Sequence, residues 1–576
     1  MSTQLSKNYI GGHKGASYGA REQGRHDTSR NGGQILVDAL HHNQVDTVYC
    51  VPGESFLPVL DALHDAAQIR TIVTRHEGAA SNMADAYGKL TGRPGIAFVT
   101  RGPGATHASN GVHTAKQDST PMILFVGQVE TTMKEREGFQ EVDYRQMFGS
   151  LAKWATEIED IERIPEVVAR AFNVAMSGRP GPVVVALPED ILFNAAMVAD
   201  APPVRISHAA PAQKDLDELA GLLAQAKQPL LVLGGTGWTP KANRDLACFV
   251  QAYNLPVAAS FRRQDLFDNR DAHYVGQLGL GTSPQLAERV KQADLLLVLG
   301  SRLTDTPTAG YSLVTSPGPG QTLVHLHVDP DELNRVFVAH LPINTSMPAA
   351  AAALASLKPQ SEPVWRDWTA AARADYMAHS TPQAPVVDYK GVDMGAVVAH
   401  LNSVLPDDAI IANGAGNYTV WVHRFFRYRQ PATELAPTNG AMGYGLPAAI
   451  AAKLHVPEKT VVCFAGDGCF MMYPQELATA MQFGAPVVVI VVNNGMFGTI
   501  RMHQEREYPG RVSGTALSNP DFVTFAHAFG AYAERVQETA DFPAAFERAL
   551  ASGKPALLEL CTDPAQINPQ LRLASV

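Results

Sequence analysis

Short apolar runs alternate with longer amphipathic segments along most of the chain, a pattern that predicts mainly parallel sheets flanked by helices. Residues 33–44 suit a helix and Thr47–Val51 a short buried strand. A helix over 55–66 and a strand at Thr71–Val73 follow. Ile96–Val99 and Met122–Val126 are further apolar runs, and the first block closes at Pro182–Pro188. A second block has strand candidates at Pro229–Gly234, Val257–Ser260, Asp294–Gly300 and Thr322–His327. A third has them at Ala409–Ile411, Thr460–Phe464, Pro486–Val492 and Pro555–Leu560. The expected architecture is α/β, with three domains at 31–197, 217–355 and 386–565. The Ala/Pro-rich stretch 198–216 reads as a linker and 356–385 as a second connection, with tails at 1–30 and 566–576.

Composition narrows the class. Of 576 residues, 46% are hydrophobic and 18% charged, which fits a folded protein of several domains. A formal net charge of -10 gives no support for nucleic acid as a partner. Five cysteines are scattered without a CxxC pair, as suits a reducing, cytoplasmic setting. No apolar run approaches the roughly 20 residues of a spanning helix, so no membrane association is expected.

The third block carries the clearest chemistry. Val461–Ala465 reads as a buried strand ending in Gly466-Asp467-Gly468, and Val487–Val492 as a second ending in Asn493-Asn494-Gly495. In a parallel sheet both ends open on one edge, where ligands commonly bind. The Asp467 carboxylate and the Asn494 amide oxygen are hard donors suited to Mg²⁺, whose shell often includes phosphate. Gly468 lets the backbone come close to a diphosphate. The helix candidate Pro474–Phe483 joins the two ends into one unit, where a lone Gly-Asp-Gly would more often be only a turn.

This unit resembles the signature of thiamine-diphosphate enzymes. The resemblance runs from Asn31 to about Leu560 and is closest to the acetolactate-synthase branch. Its other pieces are Val51–Glu54, Arg75–Glu77, Gly102–Thr106, Phe139–Glu141 and Asn439–Gly443. It implies a pyrimidine-binding first domain, a central domain and a diphosphate-binding last domain, with thiamine diphosphate and Mg²⁺ as cofactors. By resemblance, Asp467, Asn494 and the Met496 carbonyl hold the metal, and the Cys469 N–H meets the diphosphate. Asn417 and Tyr418 occupy the place of a diphosphate-contacting pair. Gly440 accepts from the pyrimidine amine, and Met442 props the cofactor in a bent shape. Glu77 hydrogen-bonds the pyrimidine and promotes loss of the reactive C2 proton; Glu54 is a lesser candidate. The family also implies a homodimer or homotetramer with sites at the subunit interface.

The substrate side is less defined. Arg101 is a candidate reader of a substrate carboxylate, with an ion pair at a domain interface as its plainer reading. His113 and Gln117 share a helix face, and Phe139, Gln140 and Lys153 match further pocket positions. Three departures separate the chain from true synthases. Thr499 and His503, flanking Ile500, stand where Met and Trp are usual. Gly300–Asp305 differs from the flavin-binding pattern, and a Gly-Met-His-Gly segment is missing near Gly279–Gly281, so FAD is not expected. The function expected is a carboligase acting on pyruvate or a related 2-oxo acid. The alternative is a 2-oxo acid decarboxylase or C–C lyase. A non-catalytic homologue conflicts with the intact Glu77, Asp467 and Asn494. A NAD dehydrogenase conflicts with the poor glycine fingerprint at Gly234–Gly237.

Overall fold

The computed structural model describes residues 28–384 and 389–574, so most of the expected 1–30 tail lies outside it. Arg30 belongs to the folded body. Its guanidinium is buried against Asp38 and Asp200, and Arg30–Asn31 pairs with Ala195–Ala196.

Three six-stranded sheets, each wholly parallel, form the frame. From edge to edge the first runs Arg70–Val73, Thr47–Cys50, Gly95–Val99, Met122–Gln128, Pro182–Pro188 and Trp154–Glu157. The third runs Glu434–Leu435, Ile410–Asn413, Val461–Gly466, Val488–Asn493, Ala556–Cys561 and Tyr532–Val536. Counted along the chain, both have the order 2-1-3-4-6-5. The central sheet runs Tyr274–Gln277, Val257–Ala259, Pro229–Leu233, Leu295–Leu299, Thr322–His327 and Leu341–Asn344, which is 3-2-1-4-5-6. The first and last domains therefore share a topology that the middle one lacks.

The interior strands are continuous apolar runs because helices cover both faces. Met122–Gln128 and Pro182–Pro188 are buried at every position. The helices Glu77–Thr91 and Gly445–His455 pack on one another, and one hydrophobic core spans the first and third domains. That shared core fixes the two outer domains relative to each other.

Two boundaries differ from expectation. The Ala/Pro stretch stays irregular only to Ala212, where a helix over Gln213–Gln225 begins. The segment 356–385 is also more than a connection. Its helix Arg366–His379 docks on the central domain, with Trp365 and Tyr376 in that domain's core. The indole N–H groups of Trp365 and Trp368 donate to the carbonyls of Tyr253 and Pro229. The expected 566–576 tail is tied down as well: Ile567 and Leu573 are buried, and Arg572 pairs with Asp563. Among the described residues no helix is long and apolar enough to cross a membrane.

Candidate active site

In the third sheet the strand order reverses between Ile410–Asn413 and Val461–Gly466, and ligands of such sheets commonly bind beyond the carboxyl ends at this point. Asp467 stands at this point as the first residue of a short helix, Asp467–Phe470. The residue is 2% exposed. One carboxylate oxygen accepts from Gly468 N–H at 2.9 Å. The other accepts from Gly495 N–H at 2.9 Å and from the Asn519 amide at 2.7 Å. Asn519 also donates to the Asn493 Oδ1 at 3.1 Å, so it ties the two strand ends together. The Asn494 Oδ1 accepts the Met496 N–H at 3.2 Å, and the Met496 carbonyl accepts from Gly498. Burial raises the Asp467 pKa, opposed by its hydrogen bonds. A carboxylate buried among neutral donors, next to an amide oxygen and a carbonyl with a spare lone pair, is a donor set that fits a hard cation.

The flanking loops are shaped by close packing. A Cβ on Gly468 would stand 2.5 Å from the Phe497 ring, and one on Gly414 2.4 Å from the Cys469 sulfur. The Cys469 thiol is buried and accepts from Gly443 N–H and from the Tyr418 hydroxyl. That hydroxyl in turn accepts from Gly414 N–H at 3.1 Å. Here the expectation for Tyr418 needs correction: its hydroxyl is spent inside the protein and is not presented to a phosphate. Asn417 is clasped by Thr499, whose hydroxyl accepts the Asn417 N–H at 3.0 Å and donates to its Oδ1 at 3.1 Å. Gly440 has φ +72°, a conformation that favours glycine, and Met442 is half-buried against the third domain's core.

Residues from the other two domains hold these loops. The Asp118 Oδ1 accepts from Thr438 N–H, and its other oxygen meets Lys89 at 2.5 Å. Lys89 also pairs with Asp85, which accepts from the Tyr444 hydroxyl at 2.7 Å. Arg262 of the central domain is buried and donates to the Pro437 carbonyl and, at 2.8 Å, to the Gly414 carbonyl.

In the first domain Glu77 is the first residue of the helix Glu77–Thr91. An anionic side chain is favoured there by the exposed N–H groups of the first turn. Its Oε2 meets the Nδ1 of His107 at 2.9 Å. His107 lies in the first turns of the adjacent helix, Pro103–Asp118, and stacks on His76 with ring centroids 4.6 Å apart. The His76 Nδ1 accepts Gly78 N–H, which caps the Glu77 helix. Across the domain boundary, Tyr473 packs on His76, and the Glu476 carboxylate accepts from Arg75 N–H at 3.1 Å.

Burial pushes the Glu476 carboxyl up from an ordinary 4.5 to about 7, against hydrogen bonds from Thr479 and from the Arg75 and His76 N–H groups. The folded state thus holds a proton that the unfolded chain releases near pH 4.5. This contribution to stability is complete below pH 4.5 and is lost as pH rises through about 7. A displacement of this size is worth about 3 kcal/mol. Glu476→Gln, neutral throughout, is expected to gain thermal midpoint relative to the native protein between pH 4.5 and 7.5. Parallel midpoint curves over that range would refute this.

The substrate-side candidates lie on several elements. Arg101 is 8% exposed. Its guanidinium pairs with Glu189, lies 3.5 Å from Glu54, and donates to the Phe139 carbonyl at 3.1 Å. The plainer ion-pair reading therefore describes Arg101, although the pair lies within the first domain and not at a domain interface. The Phe139 ring is exposed, and Gln140, at φ +64°, packs on Gly102. His113 meets the Asn439 amide at 3.1 Å, and the Gln117 carbonyl accepts from Arg302 at 2.5 Å. Lys153 donates to the carbonyls of Ser177 and Arg179, away from these residues. Ile500 and His503 are exposed on the helix Gly498–Glu507, and His503 meets Arg506.

Sequence reasoning missed His107, Asn519, Asp118, Arg262 and Glu476. Glu476 lies within the helix candidate Pro474–Phe483 and His107 adjoins Gly102–Thr106, but nothing in their spacing pointed to Arg75 or to Glu77.

Comparison with known proteins matches three family models in order along the chain. Residues 30–147 match the N-terminal TPP binding domain of thiamine pyrophosphate enzymes, 216–354 their central domain, and 414–560 their C-terminal TPP binding domain. Acetolactate synthase isozyme 2 large subunit of Escherichia coli is 30% identical, over 92% of this chain and 96% of its own. Acetolactate synthase large subunit of Corynebacterium glutamicum is 31% identical, over 94% and 89%. The large subunit from Parasynechococcus marenigrum is 32% identical, over 92% and 87%.

Proposed function

The chain belongs to the thiamine pyrophosphate enzymes, in the acetolactate-synthase branch, and on that premise we propose that it is a Mg²⁺-dependent carboligase acting on pyruvate or a related 2-oxo acid. The observation that carries this reading is the buried Asp467 carboxylate, set between two strand ends with only neutral donors around it.

Thiamine diphosphate, when bound, supplies a nucleophilic thiazolium carbon that adds to a 2-oxo acid and takes up the electrons of decarboxylation. The protein's part is to hold charge and move protons. Asp467, Asn494 and the Met496 carbonyl would hold Mg²⁺. The N–H groups of Gly468 and Cys469 would face the diphosphate, with Asn417 beside them. The Gly440 carbonyl and the Met442 side chain would orient the pyrimidine. Glu77 would keep one carboxyl oxygen on the pyrimidine ring and exchange a proton there. Asn519, Asp118 and Arg262 fix the loops carrying these groups, so little reorganisation accompanies reaction.

A homodimer or homotetramer, with each site completed across a subunit boundary, belongs to the same proposal, as does a cytoplasmic setting, which the five free cysteines support. No flavin enters it.

A decarboxylase or C–C lyase is the second reading. It draws on the wall around Thr499, where a threonine locked to Asn417 replaces a bulky side chain. Incubation with pyruvate, Mg²⁺ and thiamine diphosphate, followed by mass analysis, separates the two. Acetolactate is the expected product. Acetaldehyde alone would overturn carboligation in favour of the second reading, and turnover of no 2-oxo acid would overturn both.

A further inference from the structure

We propose that His107 is a positioning residue for Glu77, holding one of its carboxyl oxygens and relaying protons between that oxygen and solvent. The inference rests on the reading of Glu77 as the carboxyl that meets the cofactor's pyrimidine.

The geometry is specific to the pair. His107 and Glu77 lie 30 positions apart, each in the opening turns of its own helix. Their contact is 2.9 Å, between His107 Nδ1 and Glu77 Oε2. The Glu77 side chain is 14% exposed and the His107 side chain 50%. One end of the imidazole thus reaches an enclosed carboxyl while the ring as a whole remains open to water. An ionised carboxylate only accepts, so against it the His107 Nδ1 bears the proton. Oε1 is left for the cofactor.

His76 supplies a platform for this ring. Its Nδ1 is occupied as the acceptor of Gly78 N–H, which places any proton of the neutral ring on Nε2. Burial, then the proximity of His107, lowers the His76 pKa, with Glu77 opposing. The lowered pKa favours the neutral form of His76, and its stacking restricts the tilt of the His107 ring. Ligand atoms of His76, Glu77 and His107 lie within 4.8 Å of one another, but the occupied His76 Nδ1 makes a hydrogen-bonded relay the better account than a metal site. The other titratable groups around the pair are Tyr473, against His76, and Glu476, which accepts from Arg75 N–H.

The relay step is balanced by protons alone. When Glu77 carries a proton, its Oε2–H bond breaks as an Nδ1–H bond forms on His107, and the Nε2–H proton passes to water. The reverse sequence loads Glu77 from solvent. No oxidant or reductant takes part.

Four proteins test this: native, His107→Asn, His107→Ala and Glu77→Gln. In the cofactor-free full-length chain, histidine-ring NMR follows the titration of His107, assigned by its loss in His107→Asn. Glu77→Gln is expected to lower that midpoint, because it removes the neighbouring negative charge. An unmoved midpoint would refute the pairing. With Mg²⁺ and thiamine diphosphate bound but no substrate, C2 proton exchange is then followed against pH. His107→Ala is expected to slow exchange about tenfold or more. His107→Asn keeps a donor for Glu77 but cannot relay a proton, so exchange should be slowed near neutral pH and should lose its dependence on histidine protonation. A purely structural role would leave the His107→Asn profile native. Native profiles in both variants, alongside slow exchange in Glu77→Gln, would overturn the relay and spare the Glu77 assignment. Native exchange in Glu77→Gln would overturn the Glu77 assignment itself.

Discussion

Asp467→Ala is expected to abolish the rise in thermal midpoint that Mg²⁺ and thiamine diphosphate together give the native protein, and to take turnover below detection. A ligand at a hundred times its dissociation constant stabilises the folded state by about 2.7 kcal/mol. The native midpoint should therefore rise visibly at modest excess. Alanine removes the carboxylate and strands the Gly468 N–H, while the Gly495 N–H and the Asn519 amide each keep a bond to the Asn493 Oδ1. Each buried donor left without an acceptor costs about 1–3 kcal/mol. Lower basal stability could thus be mistaken for lost binding. Asp467→Asn separates the two effects. It keeps an acceptor oxygen and the volume while removing the negative charge a divalent cation requires. The expected result is a folded Asp467→Asn protein, with a cooperative transition, that no longer responds to the two ligands. A native-sized response in Asp467→Asn would end the assignment of Asp467 as the metal anchor.

The interior of the fold was legible in the sequence and its edges largely were not. Every interior strand of the three sheets corresponds to an apolar run, because a strand covered on both faces must be apolar at nearly every position. In these three sheets the strands not foreseen were Trp154–Glu157, Tyr274–Gln277, Leu341–Asn344, Glu434–Leu435 and Tyr532–Val536, and all are edges. Edge strands are short and commonly charged, which limits association with other sheets but erases the hydrophobic signal. Tyr532–Val536 carries Glu534 and Arg535, and Glu434–Leu435 has only two residues. The docking of the helix Arg366–His379 was hidden in another way. Its hold on the central domain includes two indoles reaching backbone carbonyls and Arg373 donating to two more, contacts with no periodicity to read.

The candidate site divides along the same line. Asp467, Asn494 and Glu77 stand at strand ends in motif-bearing segments, and their chemistry could be argued from local sequence. Asn519, Asp118, Arg262 and His107 act on residues at least 26 positions away, through contacts that exist only once the sheets are assembled. Arg101 shows the converse. Its residue type invited a carboxylate-binding role, but Glu189 and Glu54 surround its guanidinium, and a substrate carboxylate would have to compete with both. A specificity argument for this chain therefore begins better from the Asn417–Thr499 clasp than from the charge of Arg101.

Glu77→Gln is the second substitution with a large expected effect, and its value lies in what it leaves intact. The glutamine has nearly the same volume, sits at the same helix start, and can keep a hydrogen bond to His107 through its carbonyl oxygen. The Asp467 site belongs to the third domain and is untouched. Cofactor binding should therefore persist to a large extent, read as a midpoint rise with Mg²⁺ and thiamine diphosphate close to the native one. Proton exchange at C2 of the bound cofactor should fall about a hundredfold or more, because an amide cannot take and return a proton at neutral pH. Turnover should fall with it. The two readouts point to different ends of the site. Loss of the midpoint rise with unchanged exchange in whatever fraction still binds would make Glu77 a binding residue, and unchanged values of both would remove it from the site. Retained binding with slow exchange is the one combination that assigns Glu77 the work of proton removal, and it is also the condition under which the pH profile of the His107 variants becomes interpretable.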